Sequence, residues 1–312
     1  ASSDGSLRIW DASVATYPAG VERRQLLAQS EPFDSPSFSP DRSRFVTGTR
    51  EGAAQVRDTE TGAVVATLSG HTSLVLAASF SPDGAQIVTV SRDGTARIWK
   101  ADSGEAVATL SGHTEWIGGA AFSLDGRRLV TTSYDGTARV WDIQTRKTVA
   151  TLSGHTGWVF GATFSPDGMR IVTASADGTA RIWDANSGKE LMALAGHTDF
   201  VSSAAFSPDG MRVVTSSFDG TARVWDAATG RVMATLPSGD VYWIWNAQYS
   251  SDGRLIVSGS DDGVTRLWDA KTGRLLLTLS GYGGRTFPAV FTPDGTQLVS
   301  GWNGIVALPD VL

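Results

Sequence analysis

The chain has 312 residues, a formal net charge of −6, a pI near 5.2 and no cysteine. Disulfide staples and thiolate chemistry are excluded, which fits a reducing, cytoplasmic setting, and the acidic balance argues against a nucleic-acid-binding surface, which needs clustered cations. No apolar run approaches the ~20 residues of a membrane-spanning helix, and no signal-peptide pattern stands at Ala1.

Taken in chain order, residues 1–3 align with 174–176, so the sequence opens at the tail of a second strand. A third strand is expected over 7–10 and a fourth within 21–29. Seven first strands then follow in phase, each leading into FSPDG or a near relative, at Phe38, Phe80, Phe122, Phe164, Phe206, Tyr249 and Phe291. A second marker alternates with the first. It reads REGAAQVRD at 50–58, RDGTARIWK at 92–100, YDGTARVWD at 134–142 and ADGTARIWD at 176–184. FDGTARVWD at 218–226, DDGVTRLWD at 261–269 and WNGIVALPD at 302–310 complete the series, which SDGSLRIWD at 3–11 precedes. Trp99, Trp141, Trp183, Trp225 and Trp268 are spaced by 42, 42, 42 and 43 residues, and a period of this size marks a repeat architecture.

One repeat can be read strand by strand. Residues 75–80 and 86–89 are short, apolar and β-branched, and the Pro-Asp-Gly of 82–84 turns between them. Asp93-Gly94 makes a second tight turn into a third strand over 95–99, and a fourth follows over 106–110. Four short antiparallel strands per unit make one blade of a β-propeller, and a blade alone cannot cover both its faces. The expected fold is therefore all-β and seven-bladed, one domain over 1–312, with seven repeats in 31–312. Residues 1–30 supply a third and a fourth strand that close the circle in permuted order, with 21–29 hiding the outer edge of the last blade. Seven first, seven fourth and eight third strands leave one third strand, 7–10 or 305–309, surplus, and Pro309 weakens the latter. This overhang and the absence of an initial methionine suggest a piece of a longer protein, and upstream strands would allow eight blades.

The Gly-His of Gly70-His71, the turn Asp and the closing Trp-Asp resemble the WD-repeat family over nearly the whole chain. The resemblance implies a non-catalytic protein-interaction platform. It also implies a hydrogen-bonded row in each blade: His71, Ser91 (or Thr89), Asp93 and Trp99 in the first regular repeat. The next rows are His113, Ser133, Asp135, Trp141; His155, Ser175, Asp177, Trp183; and His197, Ser217, Asp219, Trp225. Asp240, Tyr282 and Gln29 replace the histidine elsewhere, so those blades are expected to be less tightly cross-linked. One histidine per blade cannot converge on a metal, and no cofactor is expected. Asp83, Asp125, Asp167, Asp209, Asp252 and Asp294 stand in turns rather than in a calcium loop. Arg97, Arg139, Arg181, Arg223 and Arg266 are expected to pair with acids between blades. No nucleophile, phosphate-loop or hydrolase-elbow motif occurs, so no enzymatic activity is expected.

Positions that vary between near-identical blades are free for binding. They precede the first strand (Trp116, Trp158, Phe200, Trp243), lie inside it (Phe160, Trp245, Phe287) or follow the second strand (Arg92, Tyr134, Phe218, Trp302). In the resembled family these positions share one rim. Aromatics dominate them, the composition of a protein- or peptide-binding surface. The expected function is an interaction or sensor module, monomeric as a domain. Near-identical tandem blades resemble the C-terminal WD arrays of bacterial signalling proteins, which places it in a larger signalling chain. A central pocket for a small ligand or glycan is the alternative.

Overall fold

The computed structural model describes residues 6–11, 21–27, 37–49, 52–239, 242–279, 289–291, 297–300 and 304–307. These fold into sheets of short strands, six of them antiparallel, four-stranded and in sequential order. In the second sheet the strands are Val75–Phe80, as the sequence pattern indicates, and Gln86–Ser91, Thr95–Lys100 and Ala106–Ser111, each one or two residues longer than it indicates. The sheets that follow repeat it at Ile117–Phe122, Val159–Phe164, Val201–Phe206 and Ile244–Tyr249, and Ser37–Phe38 begins the first. We number these blades one to six from the sheet that begins at Ser37.

The strand chemistry follows from position in the blade. The second strand is central and covered on both sides, so all of residues 87–91 are buried. The third strand buries Ala96, Ile98 and Trp99 while Arg97 reaches toward the surface, and the fourth is an outer edge with alternating exposure. The apolar clusters lie between blades rather than within them. Trp141 and Leu129 of blade three pack with Val88, Ile98 and Leu110 of blade two, and Trp183 of blade four packs with Val130, Val140 and Leu152 of blade three. Neither blade face is complete without its neighbour.

Two polar devices fix the ends of the strands. In the turn between the first two strands, Ser81 Oγ donates to Asp83 Oδ1 at 2.5 Å and accepts the Gln86 N–H at 2.9 Å. Gly84 closes that turn at φ +71°, a conformation a side chain would disfavour. At the same end, arginines clasp the following blade. Arg128 donates to Gly168 O at 2.6 Å and lies over Phe164, and Arg170 donates to Gly210 O at 2.7 Å and lies over Phe206.

The remaining sheet joins the two ends of the chain and departs from the expectation. Its order is Val21–Leu27, Ser6–Asp11, Gly304–Ala307, Gln297–Ser300, Val290–Phe291. Neither third strand is surplus. Ser6–Asp11 and Gly304–Ala307 lie side by side in parallel, with Ile9 opposite Ile305, which gives five strands instead of four. A parallel pair satisfies both backbones at once, an arrangement that counting strands does not consider. Val21–Leu27 pairs with Ser6–Asp11 and forms the sheet's edge.

Candidate functional site

Each regular blade carries a buried polar row. In blade two Trp99 Nε1 donates to Thr89 Oγ1 at 2.8 Å, and Thr89 Oγ1 lies 2.8 Å from His71 Nε2. His71 Nδ1 lies 2.8 Å from Asp93 Oδ2. A neutral imidazole protonated on Nδ1 satisfies every atom, since threonine donates to Nε2 while Nδ1–H donates to the carboxylate. The contacts recur at 2.7–2.9 Å through Thr131, Thr173 and Thr215 in blades three to five. Burial holds the pKa of His71, His113 and His155 below the ordinary value, only partly offset by the aspartate partner. Burial opposes ionisation of Asp93 too, but hydrogen bonds from Thr95, the Thr72 N–H and His71 bring its carboxyl down to about 2. Asp177 is likewise lowered to about 2 against burial, by Thr179, His155 and the Thr156 N–H.

The serines assigned to these rows belong elsewhere. Ser91 Oγ donates to Ser73 O at 3.1 Å and accepts the Asp93 N–H at 3.1 Å, so it braces the turn. Ser133, Ser175 and Ser217 do the same with Glu115 O, Gly157 O and Asp199 O. The third-strand arginines also differ from expectation. Arg181 meets Asp177 and Glu190, Arg223 meets Asp219, and Arg266 meets Asp262, each inside its own blade rather than between blades. In blade six Trp268 Nε1 donates to Ser258 Oγ at 2.9 Å, while the turn Asp262 takes Arg266 at 2.7 Å. Asp240, Tyr282, Gln29, Asp294, Phe287 and Trp302 lie outside the described residues. Among the described residues no group of three His, Asp or Glu side chains could hold a metal ion, and no helix is long and apolar enough to cross a membrane.

The variable positions come together on the opposite strand ends from the arginine clasps. The residue before each first strand pairs through its backbone with the residue after the second, as Tyr134 N–H to Trp116 O and Phe218 N–H to Phe200 O show. Both side chains therefore leave the blade at one point. Across blades they stack. Arg92 lies 4.2 Å over Trp116, Tyr134 stacks on Trp158 at 4.8 Å and 9°, and Phe218 stacks on Trp243 at 4.7 Å and 12°. Phe160 bridges Trp158 to Phe200, and Trp245 stands edge-on to Phe218 and Trp243. The result is one unbroken aromatic arc from Arg92 to Trp245 over five blades. Trp116, Trp158, Phe200 and Trp243 remain 38%, 49%, 39% and 42% exposed. The variability signal found the members of this arc. It did not find the apolar tips of the opposite rim, Leu124, Met169 and Met211, which are also exposed.

Residues 117–308 match the family described as the IFT122 first beta-propeller. The chain belongs to that family. Residues 62–100 also match the WD domain, G-beta repeat, and span the fourth strand of blade one, Val64–Ser69, and the first three strands of blade two. No curated protein matches the chain. WD propellers typically serve as protein-interaction scaffolds and are usually non-catalytic, and the residues of the aromatic arc differ from blade to blade.

Proposed function

We propose that this WD propeller is a non-catalytic interaction platform that binds a protein or peptide along the aromatic arc. The observation carrying the reading is the continuity of the arc. Eight aromatic side chains and one guanidinium, drawn from five blades, make a broad exposed strip with little polar chemistry of its own. Large aromatic anchors on a shallow surface suit a protein partner, whereas a small ligand or glycan would call for a deep enclosed pocket. Arg92 is engaged on Trp116, and the strip offers no cation cluster for nucleic acid.

We take the seven sheets to close into one circle over 1–312, the N-terminal pair forming the outer part of the last blade. The domain is read as monomeric and cytoplasmic. The family matched lends nothing to a bacterial signalling or sensor role, so the plainer reading is kept.

The test is selection of binders from a random peptide library on the intact chain, followed by affinity measurements with Trp158→Ala and Trp243→Ala. Each variant is expected to weaken selected peptides about tenfold, the scale of one exposed aromatic anchor. Peptides whose affinity is indifferent to both variants would overturn the reading.

A further inference from the structure

The arc obeys a rule that one blade breaks. The second turn of each blade abuts the loop that opens the next: Gly94 faces His113 O and Glu115 O, Gly136 faces His155 O and Gly157 O, and Gly178 faces His197 O and Asp199 O. The residue two positions before each of these glycines is thus placed to cover the aromatic residue that starts the next blade. Arg92 covers Trp116, Tyr134 covers Trp158, and Phe218 covers Trp243. In blade four that residue is Ala176, and a methyl group cannot stack. Phe200 therefore has only tilted neighbours, Phe160 at 6.1 Å and 47° and Phe218 at 5.9 Å and 41°.

Resting on the interaction reading above, we propose that the notch between Ala176 and Phe200 receives one arginine side chain of the partner. Three observations choose arginine. The chain itself places a guanidinium in the equivalent position, Arg92 over Trp116. Planar rings fill two other equivalents, Tyr134 and Phe218, and guanidinium is the planar side chain that carries a permanent positive charge. The notch also carries a carboxylate: Asp199 is exposed, its Oδ1 accepts the Phe200 N–H at 2.7 Å, and no described cation lies within ion-pair distance. Oδ2 is left to receive a guanidinium stacked on Phe200. Gly157 packs against Ala176 closely enough that its Cβ would lie 3.3 Å from the alanine Cβ, so the floor of the notch is backbone and methyl. Lysine lacks the planar face and the paired donors, and an aromatic side chain would leave Asp199 unmatched.

The test is amide NMR titration of the intact chain with N-acetyl-arginine amide, with N-acetyl-lysine amide and N-acetyl-phenylalanine amide as comparators. Arginine is expected to shift the amides of Asp199, Phe200 and Ala176, with the lysine and phenylalanine compounds weaker by about fivefold or more. Ala176→Arg, which fills the notch from within, should abolish the response, and Asp199→Asn should weaken it by about fivefold while leaving the rest of the spectrum in place. Equal response to lysine or phenylalanine, or a response untouched by Ala176→Arg, would overturn the proposal. If library peptides still depend on Trp158 and Trp243 while the notch ignores arginine, the platform reading stands and this inference alone fails.

Discussion

The histidine rows and the aromatic arc are built from the same repeat, and they sit a few residues apart, yet they have opposite properties. In the row of blade three, His113, Thr131, Asp135 and Trp141 bond to one another, Thr114 and Thr137 fill the remaining acceptor positions of Asp135, and imidazole and carboxylate are both almost fully buried. In the arc of the same blade, Tyr134 differs from Arg92 and Ala176 on either side, and Trp116 leaves surface uncovered. The rows recur in blades two to five because each of these blades uses the same internal bonds. The arc varies because nothing inside the molecule dictates it. Repeat proteins separate holding from binding in this way when constant positions are saturated and variable ones are not.

The largest expected effect breaks a row. Thr131→Val keeps the shape but strands the Trp141 N–H and the His113 Nε2, and at 1–3 kcal/mol for each orphaned buried group it should cost about 3 kcal/mol in denaturant unfolding. The same rows set the acid response. His71, His113 and His155 bind protons less readily folded than unfolded, so below their ordinary value of 6.5 the unfolded chain takes up more protons. Their contribution is complete above about 6.5 and falls as the pH drops beneath it. Asp93 and Asp177, lowered from 3.8 to about 2, add stability that is present above 3.8 and lost on descending toward 2. Thermal midpoints measured against pH should therefore hold above neutrality and decline in those two windows.

Variants of the arc should behave differently. Trp158→Ala removes one stacked contact with Tyr134 at the surface and should cost about 1 kcal/mol of stability, while peptide affinity falls about tenfold. On the far rim, Met211 is exposed and outside both systems, so Met211→Ala should change stability by less than about 0.5 kcal/mol and leave peptide affinity unchanged. A loss of binding in Met211→Ala would show that the contrast between the two rims is mistaken.

The step of 42 residues made the strands legible, because period and turn chemistry agree in every regular blade. The rows were less so. Residues 89 and 91 share one face of the second strand, and spacing alone does not choose between them. Register does: Ile87 lies opposite Trp99, and the indole reaches along the strand to Thr89, while Ser91 at the strand end turns to Ser73 O. Comparing blades picked out Trp116, Tyr134, Phe218 and Trp243 as variable. That these form one continuous aromatic series, in which only Ala176 fails to stack on the next blade, depends on contacts between blades, which a repeat alignment does not contain. The clasp arginines recur in phase at Arg44, Arg128, Arg170 and Arg212, but the targets of Arg128 and Arg170 are backbone carbonyls of the next blade, which side-chain patterns do not show.

The central claim is that the rows hold and the arc binds. Hydrogen exchange of the intact chain with and without a library-selected peptide tests it most directly. The account predicts new protection around Trp116, Tyr134, Trp158, Phe200, Phe218 and Trp243, with none at Leu124, Met169 or Met211. Protection confined to the Leu124–Met211 rim, with the arc unchanged, would contradict it.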